Sequence, residues 1–147
     1  MAGRKTRHKD RESGFTLIEL LVVMIIIGLL AALVGPGLFS TLGKSKLKSA
    51  KAQIELFGTA LDAFRLEIGR YPTSEEGLQA LRENPGEAAG WDGPYLRKEV
   101  PLDPWGKPYH YQSPGEQGDY DLFSYGADRS PGGEGENQDI ASWKRLE

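Results

Sequence analysis

One carboxylate, Glu19, stands near the start of an otherwise uncharged run, and it is the first chemically loaded feature of these 147 residues. No charged residue occurs from Leu20 to Gly43, a stretch long enough to cross a bilayer as a helix. A carboxylate costs roughly 3 kcal/mol at the bilayer centre on insertion scales and less near an interface, so Glu19 calls for a partner or for a route to the cytoplasmic interface. A second set of oxygen-bearing side chains lies between Gly126 and Ile140: Asp128, Glu134, Glu136, Asn137, Gln138 and Asp139, spaced by glycines. Calcium takes about six to eight hard oxygens from carboxylates, amides and carbonyls, which this loop could offer. Its spacing is not that of an EF-hand, and composition alone favours a solvated acidic loop. Catalysis has little to stand on. Beyond residue 14 the sole histidine is His110, cysteine is absent, and nothing in the order of the carboxylates places them around a pocket.

The scaffold that carries these groups is read from periodicity. Leu47, Ala50, Ile54, Phe57, Leu61, Phe64 and Ile68 recur at spacings of three and four, the apolar stripe of an amphipathic helix. Lys44, Lys46, Lys48, Lys51, Glu55 and Asp62 fall on its other sides. The membrane half and this amphipathic half form one long helix, ending near Gly69 because Tyr71-Pro72 disfavours continuation. Pro36, between Gly35 and Gly37, removes a backbone donor inside the apolar half and predicts a kink. Thr73 and Glu76 have the spacing of a capping box opening a short helix, with Leu78 and Leu81 facing the core. Strands are expected over Tyr109–Gln112 and Tyr120–Tyr125 around a Ser113-Pro114-Gly115 turn, with Tyr95–Arg97 as a third. The fold class is therefore α+β: a long N-terminal helix against a small antiparallel sheet, followed by a C-terminal loop. Trp91, Tyr95, Trp105, Tyr109 and Tyr111 could suit a sugar, although core packing is the plainer use.

Length allows one small domain beyond the membrane segment. The first fourteen residues carry Arg4, Lys5, Arg7, Lys9 and Arg11 against Asp10 and Glu12, which places the N-terminus in the cytoplasm and the C-terminal domain outside. A secretory signal peptide would have a short apolar core before its cleavage site, unlike this run. Without residues 1–14, the 18 Lys and Arg against 21 Asp and Glu become 13 against 19, near −6. That acidic balance speaks against nucleic acid as a partner, which needs a basic face.

Gly14-Phe15-Thr16-Leu17-Ile18-Glu19 after a basic leader resembles the processing site of type IV pilins and type II secretion pseudopilins. YPTSEEGLQAL, GPYL, PLDPWGKPYHY and DLFSYGAD resemble the major pseudopilins specifically, and the likeness runs from Gly14 to Trp143. Adhesive type IV pilins often close a C-terminal loop with a disulfide, which this cysteine-free chain cannot do.

The resemblance implies a pilin-like fold with a leader over 1–14, a transmembrane and assembly helix over 15–43 and a periplasmic domain over 44–147. It implies cleavage between Gly14 and Phe15 by a prepilin peptidase, methylation of the Phe15 amine, and pairing of that amine with Glu19 of an adjacent subunit. Pro36 lies where the family's helix loosens on assembly. Calcium is implied as a cofactor, with Asp128 and Asp139 as carboxylate ligands, the Tyr125 carbonyl as a backbone ligand, and Glu134, Asn137 and Gln138 as further candidates. Two positions depart from the family: Arg129 stands where glycine is common, and Asn137 or Gln138 replaces an acidic residue. The implied role is a non-enzymatic subunit of a homopolymeric periplasmic filament, anchored in the inner membrane. Its implied partners are minor pseudopilins and an inner-membrane assembly platform with its ATPase, and its implied work is the export of folded proteins. A type IV pilin for adhesion, motility or DNA uptake is the alternative, followed by a membrane-tethered enzyme or glycan-binding module.

Overall fold

The computed structural model describes residues 14–145, and at 35–40 the backbone alone. The basic leader, apart from Gly14, therefore lies outside the described residues. Two compact units divide the chain, Met1–Phe39 and Ser40–Glu147.

In the first unit, Phe15 to Val34 are exposed along a helix with the length and apolarity to span a membrane over Leu17–Val34. Exposed leucine, isoleucine and valine on every side are what a lipid solvent requires and water penalises. The helix, α1, is assigned over Leu17–Ile68. Its backbone is helical across the Gly35-Pro36-Gly37 segment, whose side chains lie outside the described residues.

In the second unit the apolar stripe does what its spacing demands. Ala50, Ile54, Phe57, Leu61 and Phe64 are almost wholly buried, Leu47 is buried, and Ile68 packs at the edge of the cluster. Leu78, Ala80, Leu81, Tyr109, Leu122 and Ile140 close over them. Each large apolar side chain so buried contributes roughly 2 kcal/mol. Phe57 meets Tyr109 edge-on at 5.3 Å, and Phe64 meets Tyr95 at 5.7 Å.

After α1, Thr73 and Glu76 form the expected capping box. The Thr73 N–H donates to Glu76 Oε2 at 2.8 Å, and the Glu76 N–H donates to Thr73 Oγ1 at 3.2 Å. The box opens a turn and a 3-10 segment at Leu78–Leu81 rather than an α-helix, with both leucines buried as expected. Arg70 grips Glu76 with two bonds of 2.7 Å, which holds that carboxyl below its usual range.

The sheet has three antiparallel strands in the order β1-β2-β3: β1 His110–Gln112, β2 Asp121–Ser124 and β3 Ile140–Ala141. Tyr111 faces Leu122 across the first pair, and Ser124 faces Ile140 across the second. The expected strand at Tyr95–Arg97 is corrected: those residues bend, because the N–H groups of Tyr95 and Leu96 both donate to the Leu81 carbonyl, at 2.8 and 3.3 Å. Ile140–Ala141 takes the third place instead.

Candidate assembly and metal-binding sites

Glu19 sits in the first turn of α1. The Thr16 N–H and hydroxyl donate to its Oε2 at 2.8 and 2.9 Å, and the Glu19 N–H donates back to Thr16 Oγ1 at 3.3 Å. This is a capping box, satisfying backbone donors that a helix start otherwise leaves bare. Sequence reasoning missed it, although Thr16 and Glu19 have the same spacing as Thr73 and Glu76. The box does not exhaust the carboxylate, since both Thr16 donors use Oε2.

The loop after β2 is built by close approaches of backbone. Gly126 has φ +70°, and a Cβ there would lie 2.7 Å from the Glu136 carbonyl oxygen and 2.9 Å from that of Gln138. Only glycine fits between those two carbonyls. The Ala127 N–H donates to the Glu136 oxygen at 2.9 Å, fastening the two sides of the loop together. A turn of 3-10 helix at Gly135–Asn137 precedes the return to β3.

Asp139 is the most informative ligand candidate. Its Oδ2 accepts the Gly132 N–H at 2.8 Å, while its Oδ1 is buried with no partner. A buried carboxylate oxygen left bare is costly, and a cation is one way to satisfy it. Asp128 is exposed, its Oδ1 accepting the Ser130 N–H at 3.1 Å. Glu134 is exposed, and its carbonyl accepts the Asn137 N–H at 3.1 Å. Asn137 and Gln138 lie at the Gly126 crossing, where their backbone rather than their side chains makes the approach. Arg129 has φ +61°, a left-handed conformation that explains why glycine suits this position. Among the described residues, no three His, Cys, Asp or Glu side chains gather closely enough to hold a metal by themselves. An ion here would need backbone oxygens as well. The bare Asp139 oxygen and the carbonyls of Glu136 and Gln138 at the Gly126 crossing are hard oxygens of the kind calcium takes, and Asp128, exposed in the same loop, is of that kind too.

The remaining chemical candidates are taken up by packing, Trp105 among them, although its indole N–H is buried without a partner among the described residues. Tyr109 is buried, the Trp91 Nε1–H donates to the Ala80 carbonyl at 3.0 Å, and the Tyr111 hydroxyl donates to that of Pro72 at 2.8 Å. The Tyr95 hydroxyl donates to Glu67. His110 is exposed and stacks on Phe123 with centroids 5.0 Å apart.

The family model for type II secretion system (T2SS) protein G matches residues 37–143, and that for the prokaryotic N-terminal methylation motif matches 9–35. The type II secretion system core protein G of Pseudomonas aeruginosa is 42% identical over 139 residues, covering 92% of this chain and 98% of that protein. The Aeromonas hydrophila protein of the same name is 44% identical over 140 residues, covering 92% of this chain and 95% of its own. The crystal structure of the major pseudopilin from the type 2 secretion system of enterohaemorrhagic Escherichia coli superposes with a TM-score of 0.61 at 36% identity. That match covers 74% of this chain and 95% of the crystallised one. With the second match spanning the Gly14–Phe15 junction and the first running through the core stripe, the sheet and the glycine-rich loop, this chain belongs to the type II secretion system protein G family.

Proposed function

We propose that this chain is the structural subunit of a type II secretion pseudopilus. Cut between Gly14 and Phe15 by a prepilin peptidase and methylated on Phe15, it resides in the inner membrane with its second unit in the periplasm. An assembly platform and its ATPase then draw it into a homopolymeric filament, capped by minor pseudopilins, that drives folded proteins through the outer membrane. The observation that carries this reading is the exposed apolar helix whose first turn is capped by Thr16 and Glu19, with the donors on Glu19 Oε2 and Oε1 left for a neighbour. In the filament, the Phe15 amine of the adjacent subunit meets that oxygen. The pair sets axial register, since a charge left alone in an apolar bundle costs far more than one that is met. Pro36 is where the helix loosens during assembly.

Calcium belongs to the same proposal. Asp139, Asp128 and the Tyr125 carbonyl would hold it, with Glu134, Asn137 and Gln138 near enough in sequence to contribute. When bound, the ion supplies positive charge that orders a glycine-rich segment no disulfide restrains. No catalytic residue is assigned.

Deleting the gene and following secreted proteins tests the function. Expected is their retention in the periplasm, restored by the wild-type chain but not by Gly14→Glu, whose leader should stay attached by mass spectrometry. Undiminished secretion in the deletion strain would overturn the assignment, and surface pili lost in its place would favour the pilin reading.

A further inference from the structure

The base of the C-terminal loop hangs on a chain of hydrogen bonds that begins in a distant turn. Asp103 is buried, with its Oδ1 accepting the N–H groups of Trp105 at 3.0 Å and Lys107 at 2.8 Å. Its Oδ2 accepts the hydroxyl of the fully buried Ser124 at 2.6 Å. A hydroxyl has one proton, and the carboxylate, an acceptor only, takes it. Ser124 Oγ is thereby left with lone pairs alone, and it accepts the N–H of Gly126 at 3.3 Å.

That N–H belongs to the peptide group whose carbonyl is that of Tyr125. The peptide is planar and trans, so fixing the direction of the N–H fixes the direction of the Tyr125 oxygen. On the other side, Gly126 is pressed against the carbonyls of Glu136 and Gln138, so the unit cannot turn freely. We propose that Asp103, acting through Ser124, is a positioning residue for calcium in the C-terminal loop, because it orients the Tyr125 carbonyl. This rests on the calcium reading above and adds two residues to it. Neither touches the ion: Asp103 sets the hydroxyl, the hydroxyl sets the peptide, and the peptide presents the oxygen. Outer partners of this kind change metal affinity by about 10- to 100-fold when removed.

The test uses the full chain purified in detergent and titrated with calcium chloride by calorimetry, with melting in chelator recorded alongside. Ser124→Ala should weaken calcium binding by about 10-fold or more. Ser124→Thr, which keeps the hydroxyl, should bind within a few-fold of wild type. Tyr111→Phe removes a hydroxyl from the neighbouring strand, away from the loop, and should lower melting in chelator without changing the dissociation constant. Should Ser124→Ala fail to fold, Asp103→Asn is read on the same scale. It keeps an acceptor for the two N–H groups but no longer dictates which way the hydroxyl points. Wild-type chain that binds no calcium would remove the calcium reading and this inference together. Wild type that binds, with Ser124→Ala or its Asp103→Asn substitute equal to it, would overturn the positioning role alone.

Discussion

Lys51 and Ala141 lie 90 residues apart in sequence, yet the Lys51 ammonium donates to the Ala141 carbonyl at 2.9 Å. The same ammonium reaches the Lys144 carbonyl at 2.7 Å. β3 is only two residues long, so this cation on α1 adds two ties to a segment held also by the burial of Ile140 and Ala141. Ser142 adds two further ties, its N–H donating to the Leu122 carbonyl at 2.8 Å and its Oγ accepting the Leu122 N–H at 3.3 Å.

Lys51→Met keeps the aliphatic stem and deletes the donors. Bonds to a charged donor contribute about 1.5–3 kcal/mol, so stability should fall by about 2 kcal/mol in urea titration. Amide exchange should accelerate over residues 140–144 before it does in β1. An unchanged midpoint would mean that water serves the ammonium as well as these carbonyls do.

Glu19 has two separable properties, a cap and a charge. Glu19→Gln keeps a side chain able to cap and removes the charge, whereas Glu19→Leu removes both. Both variants should enter the membrane at least as well as wild type, and neither should form filaments visible by electron microscopy. Filaments from Glu19→Gln would show that capping suffices and that no cation is met.

Much of the second unit was legible because its signals are local and repeated. The stripe from Leu47 to Phe64 needs only 3.6-residue periodicity, and Thr73 with Glu76 needs only their spacing. The third strand was misplaced for a physical reason: Tyr95 to Arg97 has strand-like composition, but its backbone donors are already committed to Leu81. Ile140–Ala141 is too short for any period to show and depends on Lys51, far away in sequence. The Asp103–Ser124 bond joins positions 21 residues apart and leaves no pattern in the chain. Thr16 and Glu19 were the reverse case, a legible pair obscured by the larger question of a charge in a membrane.

Calcium should raise the melting temperature of the full chain in detergent relative to chelator. A ligand at a hundredfold excess over its dissociation constant stabilises the native state by about 2.7 kcal/mol. Asp139→Ala and Asp128→Ala should each remove most of the difference. Glu87→Ala, outside the loop, should leave it intact, and magnesium should substitute poorly because it demands a tighter octahedral shell. Identical melting with and without calcium would return the loop to a solvated acidic segment.

Burial pushes the hydroxyls of Tyr95, Tyr109 and Tyr111 up to about 12, helped at Tyr95 by its bond to Glu67 and at Tyr109 by the charge of Asp103. The unfolded chain releases these protons near the ordinary value of about 10, and the folded chain does not. The stabilisation they confer is complete below about pH 10 and is lost as pH rises through 12. Urea midpoints should therefore hold steady up to about pH 9.5 and fall steeply above 10, with tyrosinate absorbance appearing at lower pH in the unfolded chain than in the folded one. A flat profile to about pH 12 would show that these hydroxyls titrate alike in both states.

Gly43 lies four residues ahead of the first buried position of the stripe, and a side chain there would overlap that of Glu136. The C-terminal loop thus lies against the very start of this unit's helix, and Lys51 clasps the last segment two turns later. Tension entering the helix from its N-terminal side would be borne first by these clasps and next by the row of side chains from Leu47 to Phe64. Those side chains lie along the pull, so they share the load as rivets in a lap joint do, where a row set across it would peel one by one. A subunit hauled by its helix would in this way bring its head along intact.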